Sequence, residues 1–238
     1  MNGVLHAGAG CLDGSMSTTW LCLCMDVTGP ALGRFWADAM GARLEPGRGE
    51  GDPGSIHGPD GLLVELEPVE QEKTVKHRVH LDLHVAGLDE LTDAGATILH
   101  PQSETGFPWT VLQDPEGGEF CAFLRDEPPA FRLYEVIVDA RDPEAIASWW
   151  AERFGVKAVP EGDPPYWWLD QVPGMPFENL VFVPVPEPKT VKNRIHWDVR
   201  GDVAELERAG ARVLWEMPRW VTMADPEGNE FCVFPPAG

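Results

Sequence analysis

The sequence predicts an α+β protein made of two tandem copies, each copy a pair of βαβββ modules. The first observation is internal repetition, the feature whose omission would mis-assign a whole fold. Val75-Lys-His-Arg-Val-His80 recurs as Val191-Lys-Asn-Arg-Ile-His196, and each is preceded by Lys-Thr (Lys73-Thr74 and Lys189-Thr190). Asp114-Pro-Glu-Gly-Gly-Glu-Phe-Cys121 recurs as Asp225-Pro-Glu-Gly-Asn-Glu-Phe-Cys232, and Ala94-Gly-Ala96 recurs as Ala209-Gly-Ala211. Upstream, Phe35-Trp36 before Gly41 matches Trp149-Trp150 before Gly155, so the landmarks keep one order at a nearly constant offset. The second observation is the succession of one strand, one helix and several short strands, run through twice per copy. The third is that 43% of 238 residues are hydrophobic, enough to fill real cores, with no run long enough for a membrane helix.

The elements are clearest in the second copy. Leu133–Ala140 is β-branched and alternating, the signature of a strand. Asp142 is suited to cap the following helix, with Pro143 at its first position. Ile146, Trp149, Trp150 and Phe154 line one face of that helix, and Gly155 closes it in a left-handed C-cap. Tyr166–Asp170, Leu180–Val185 and Arg194–Val199 read as strands. A short helix over Val203–Ala209 ends at Gly210, and two more strands flank Asp225-Pro-Glu-Gly228. The expected domains are residues 17–125 and 130–236, divided at the acidic, proline-bearing Arg125–Pro129. Residues 1–16 are glycine-rich, fall outside the repeat, and read as a disordered extension.

Composition narrows the function classes. A net charge of −21 argues against nucleic-acid partners, because neutralising phosphates needs clustered Lys and Arg. The N-terminus lacks the basic and apolar regions of a signal peptide. Five cysteines, an odd number without CxxC spacing, argue against a disulfide framework and for a reducing, cytoplasmic setting.

The doubled pattern Lys-Thr-Val-Lys-x-Arg-x-His-x-Asp, short helix to Ala-Gly-Ala, then Asp-Pro-Glu-Gly-x-Glu-Phe-Cys resembles the glyoxalase-like branch of the vicinal-oxygen-chelate superfamily. That superfamily also contains bleomycin-resistance proteins and extradiol dioxygenases. The resemblance covers nearly all of residues 20–235. It implies curved, half-open sheets in each domain with helices outside and a concave cavity inside. It also implies a divalent metal, held from the first, fourth, fifth and eighth strands of a domain, that chelates two adjacent oxygens of a small-molecule substrate.

Strand alternation points to the same positions independently. Arg78, His80, Asp82 and His84 share one face, opposite Val79, Leu81, Leu83 and Val85. Arg194, His196 and Asp198 repeat this against Ile195, Trp197 and Val199. Glu119, Cys121 and Phe123 share a face, as do Glu230, Cys232 and Phe234. Carrying the family pattern over gives Glu135, His196 and Glu230 as the leading metal set, for Mn²⁺, Fe²⁺, Ni²⁺ or Zn²⁺. Its fourth-strand position, near Val181 or Val183, offers no ligand and leaves coordination open. Glu230 or Glu135 would also shuttle a proton. The second set is His80, Glu119 and Glu65 (or Glu67), weakened because its first-strand position falls near Leu21 or Cys22. An alternative pairing of modules would turn Glu135 towards His80 and Glu119. A purely structural role for these groups, Glu135 and Glu230 bonding neighbouring strands or Arg194, competes evenly.

Cys121 and Cys232 read as small buried hydrophobes more readily than as ligands or nucleophiles, since no base stands next to either in sequence. Arg78 and Arg194 would pair with Asp82 and Asp198, or bind a substrate carboxylate. Trp109, Trp167, Trp168, Trp215 and Trp220 would rim the cavities and stack on a flat ligand. Pro164-Pro165 and Pro173–Pro176 frame a candidate lid. The leading expectation is therefore a metal-dependent lyase or isomerase, with a ring-cleaving dioxygenase a weaker variant. Its rival is a metal-free protein sequestering an aromatic natural product. A monomer is expected, or a homodimer through sheet edges.

Overall fold

The computed structural model describes residues 18–236, so the expected disordered extension at 1–16 lies outside the described residues. Four βαβββ modules follow one another. The first holds β1 (Thr19–Val27), α1 (Pro30–Met40), β2 (Arg43–Glu45), β3 (Ser55–Gly58) and β4 (Gly61–Pro68). The second holds β5 (Val79–Val85), α2 (Asp89–Asp93), β6 (Thr97–His100), the extra turn α3 (Gln102–Thr105), β7 (Thr110–Gln113) and β8 (Glu119–Leu124). The third holds β9 (Leu133–Ala140), α4 (Pro143–Phe154), β10 (Val159–Glu161), β11 (Tyr166–Asp170) and β12 (Asn179–Pro184). The fourth holds β13 (Ile195–Arg200), α5 (Val203–Arg208), β14 (Arg212–Glu216), β15 (Val221–Ala224) and β16 (Glu230–Phe234).

The modules do not pair within a repeat. One eight-stranded sheet runs β14-β15-β16-β13-β1-β4-β3-β2 and joins the fourth module to the first. The other runs β10-β11-β12-β9-β5-β8-β7-β6 and joins the third to the second. We call these the outer-module sheet and the inner-module sheet. Each is open, and each is centred on an antiparallel pair of first strands, β1 with β13 and β5 with β9. Of the two module pairings that the sequence left open, the sheets show the one across the repeats. Every sheet takes half of each repeat.

Helices α1 and α4 lie outside the sheets and between them. Asp142 caps α4 by accepting from the Ala145 N–H, Pro143 opens it, and Gly155 (φ 72°) closes it in the left-handed region that favours glycine. Trp150 of α4 is fully buried against Phe231 and Trp197 of the outer-module sheet, although α4 itself packs on β9, β11 and β12. Trp36 of α1 makes the matching reach to Phe120 of the inner-module sheet. Both indoles donate to the Asp that opens the following turn. Trp36 Nε1 lies 3.2 Å from Asp114 Oδ2, and Trp150 Nε1 lies 3.2 Å from Asp225 Oδ2. The repeated Trp and Asp landmarks thus bolt the two halves of one repeat together across the central layer.

The repeated Lys-Thr-Val-Lys-x-Arg segments tie one repeat to the other. Arg78 donates to the carbonyls of Glu187 and Asp139 in the second repeat, and Arg194 donates to those of Gln71 and Asp26 in the first. Lys76 pairs with Asp139 at 2.6 Å, and Lys192 pairs with Asp26 at 2.7 Å. The exchange is reciprocal. It corrects the expectation that the two arginines pair with Asp82 and Asp198. The Pro173–Pro176 segment is pinned rather than free, because the Pro173 carbonyl accepts from the Trp20 N–H.

Candidate functional site

The face of each sheet turned away from the helices carries one compact polar cluster. In the inner-module sheet, register aligns Val111, Cys121, Asp82, Glu135 and Asn179 in one row across five strands. His80, one step along β5, lies opposite Ile137, which lies opposite Val181 and then Trp168. In the outer-module sheet the equivalent row is Thr222, Cys232, Asp198 and Cys22, and the next is His196, Cys24, Glu65 and Ser55. Donor atoms of His80, Asp82 and Cys121 lie within 4.8 Å of one another, as do those of His196, Asp198 and Cys232.

Both clusters are desolvated and short of partners. His80 Nδ1 and Asp82 Oδ1 are buried with no hydrogen-bond partner, and so are His196 Nδ1 and Asp198 Oδ1. Among the described residues, each Asp has only the neighbouring His within ion-pair distance, at 3.6 Å for Asp82 and 3.7 Å for Asp198. Burial drives both imidazoles down to about 3, so they are neutral with a free lone pair. Burial drives Asp82 up, helped by Glu135 nearby, and pushes Asp198 up to about 7. It also raises Cys121, and takes Cys232 up to about 12. Imidazole, carboxylate and thiol held this close, with one His nitrogen and one Asp oxygen of each cluster left without a partner, suit a divalent metal ion, whose charge would let the acids ionise.

The strands distribute the expected site residues differently from the sequence reading. Glu135 faces Asp82 in the inner-module sheet, while His196 and Glu230 stand in the outer-module sheet, so the leading set is not brought together. The second set is divided as well, with Glu65 on β4 and His80 and Glu119 in the other sheet. Glu119 is engaged by Lys73 Nζ at 2.7 Å and by the His77 N–H. Glu230 is engaged in the same way by Lys189 Nζ at 2.7 Å and by the Asn193 N–H. The Lys and Glu of the repeated motifs are thus partners of one another. Asp82 and Asp198 belong to neither expected ligand set, although strand alternation places them on the faces of His80 and His196. No base stands next to either thiol in sequence, whereas Cys232 Sγ lies 3.5 Å from His196 Nε2.

The aromatic residues divide as well. Trp168 turns to the cluster face, its Nε1 buried without a partner, but Trp167 packs on the core side. Trp109 stacks on Phe107 at 4.9 Å and lies 5.3 Å from Phe123; Phe123 meets Tyr134, which stacks on His84 at 4.1 Å. This aromatic wall flanks the inner-module cluster. Trp220 stacks on Phe234 in the other sheet, and Trp215 is exposed. Arg194 is occupied by Gln71, Asp26 and Glu116 rather than turned to a cluster. A cavity of about 840 Å³ opens elsewhere, between residues 71–79 and 187–194, where Lys76, Arg78, Lys192 and Arg194 are engaged in the cross-repeat contacts above and Lys73 pairs with Glu119.

Two open, curved sheets of paired βαβββ modules, with ligand-type side chains on their first and last strands, define a vicinal-oxygen-chelate architecture. A family profile described as "Glyoxalase-like domain" matches twice, over residues 22–123 and 135–234, and the chain belongs to that family. Among solved structures, glyoxalase I from Zea mays superposes with a TM-score of 0.65 at 17% identity, covering 92% of each chain. A putative dioxygenase from Bacillus subtilis superposes with a TM-score of 0.56 at 13% identity, covering 94% of this chain and 87% of its own. At these identities the likeness is one of fold. No curated protein sequence matches the chain. No helix among the described residues is long and apolar enough to cross a membrane.

Proposed function

We propose that the chain is a divalent-metal-dependent enzyme of the lyase or isomerase type acting on a small molecule with two adjacent oxygens. Its active site would be His80, Asp82 and Cys121 with Glu135 beside them. The observation that supports it most is the buried Asp82, whose Oδ1 has no hydrogen-bond partner, next to a neutral imidazole and a thiol. A divalent ion bound there supplies Lewis-acid polarisation of the two substrate oxygens. His80, Asp82 and Cys121 would hold the ion, and the imidazole is already in the neutral form that ligation requires.

Glu135 is the proton carrier in this reading. Burial raises its carboxyl above the usual carboxylate range, which suits a group that accepts a proton and returns it. It stays partly open to solvent, and Asn179 Nδ2 at 3.3 Å orients it. The proton would come from the carbon beside the chelated oxygens and go back to a neighbouring atom. The wall of Trp109, Phe123 and Tyr134 would shield the developing negative charge from water. The test is deuterium incorporation from D₂O into α-hydroxycarbonyl compounds, followed by NMR. Glu135→Gln should slow exchange by about 10²-fold or more while leaving the metal content unchanged. Full exchange in that variant removes Glu135 from the chemistry.

The aromatic wall supports a second reading, metal-free sequestration of an aromatic compound. Quenching of tryptophan fluorescence by an aromatic ligand, unaltered by a chelator and by His80→Ala, would favour it over the enzyme.

A further inference from the structure

The cavity of about 840 Å³ shares no residue with either cluster and lies between the two repeated Lys-Thr-Val-Lys-x-Arg segments. Its volume is in the range of small-molecule sites. Val69, Val75, Val79, Val185, Pro188 and Val191 give it a largely apolar lining. Val75 and Val191 hold the same place in the two repeats, and they stay 41% and 45% exposed. Branched apolar side chains left open at matched positions of one cavity are surface that a ligand would cover.

The polar lining differs between the two sides. On the second-repeat side it is satisfied: Asn193 is bonded to Asn229 and Glu230, and Arg194 pairs with Glu116 at 3.3 Å. On the first-repeat side the same places hold His77 and Arg78. The buried ring nitrogens of His77 and the buried Nε of Arg78 have no partners. Arg78 donates from its terminal nitrogens to the carbonyls of Glu187 and Asp139, which leave its charge unneutralised. Among the described residues no carboxylate stands within ion-pair distance of it. Of the acids lining the cavity, Asp26 is held by Lys192 and Asp139 by Lys76, while Glu72 and Glu187 are exposed.

We propose that this cavity binds an amphipathic monoanion, a carboxylate on a small apolar body, with its head at Arg78 and its body against Val75 and Val191. The body matches the apolar lining, and a planar carboxylate matches the guanidinium fork. Such a ligand touches both repeats. The site stands whether or not the clusters hold metal.

The test compares two fluorescent probes of one apolar shape on the full chain, anilinonaphthalene sulfonate and its uncharged parent phenylnaphthylamine. The parent should bind about tenfold or more weakly than the sulfonate, the scale of one charge-assisted hydrogen bond. Val75→Glu and Val191→Glu, both at exposed positions, should each weaken the sulfonate by about tenfold or more by placing a like charge in the cavity. Arg78→Gln, which keeps a donor for the carbonyls but no charge, should bring the two probes level. His80→Ala should leave sulfonate binding unchanged, and hexanoate should displace the probe where hexanol does not. Circular dichroism checks that each variant is folded, and the probe pair on the unaltered chain needs no variant. Equal affinity for the two probes, or no binding of the sulfonate, would overturn the site. So would sulfonate binding that ignores both valine variants or falls in His80→Ala.

Discussion

At the scale of single residues, comparison of the repeats shows which contacts are complete. In the second repeat Asn193 Nδ2 donates to Asn229 Oδ1 at 3.0 Å, and Asn229 Nδ2 donates to Asp225. In the first repeat the same places hold His77 and Gly118, and neither of the buried ring nitrogens of His77 has a partner. A Cβ on Gly118 would meet His77 Cε1 at 2.7 Å. Gly118→Asn alone should therefore destabilise the chain. Combined with His77→Asn it should recover, with a favourable coupling of about 1 kcal/mol or more in a double-mutant cycle of chemical denaturation. Asp225 allows a test of sign. Burial raises its carboxyl from 3.8 to about 6 despite donors from Trp150, Glu227 and Asn229. Between those two pH values the folded state binds the proton more tightly than the unfolded state, so Asp225 adds stability as pH falls and loses it as pH rises through 6. Asp225→Asn cannot titrate. The Tm gap between the native chain and Asp225→Asn should widen from pH 7 to pH 4.5, and a narrowing gap would contradict the burial argument.

At the scale of elements, most boundaries were legible because their causes are local. Pro143 and Gly155 fix the ends of α4, and alternation fixes the buried face of β5 and β13. Which first strands would pair was not legible. Cys22 on β1 meets Asp198 on β13, and Glu135 on β9 meets Asp82 on β5, far along the chain in one case and near in the other. Both pairings are compatible with the same repeated landmarks, since a βαβββ module carries the same apolar face whichever neighbour covers its edge. This is why His196 and Glu135 were grouped together in the sequence reading. The ligand row itself was half legible: alternation put His80 with Asp82 and His196 with Asp198, but only the sheet shows that Glu119 and Glu230 are spent on Lys73 and Lys189. The pairing also predicts how a single repeat behaves. Residues 17–127 expressed alone would leave β1 and β5 as unpaired central edges, each a template for another strand. Such a repeat should sediment as a dimer in which the β1 edge of one copy meets the β5 edge of the next, or aggregate. A stable monomer with the Tm of the full chain would contradict cross-repeat pairing.

At the scale of the whole molecule, duplication gives two sheets that carry the same His–Asp–Cys cluster, with Glu135 beside one and Cys22 beside the other. A core of large aromatics, Trp36, Trp150 and Trp197 with Phe120 and Phe231, fills the layer between the sheets and holds their outer faces in fixed relation. On those faces lie the His–Asp–Cys clusters, one beside Glu135 and the aromatic wall, the other enclosed with Cys22. His80 and Glu135 are partly exposed, whereas His196, Asp198 and Cys232 are all buried, so the inner-module cluster is the more accessible to a small ligand. The claim on which the functional account stands is that these clusters are metal sites. The most direct measurement is elemental analysis of the full chain purified without affinity metal, with His80→Ala and His196→Ala analysed in parallel. Bound transition metal is expected, with each variant losing the share belonging to its own sheet and keeping the other. A chain free of metal, and not stabilised against heat by added Mn²⁺, Fe²⁺, Ni²⁺ or Zn²⁺, would contradict it.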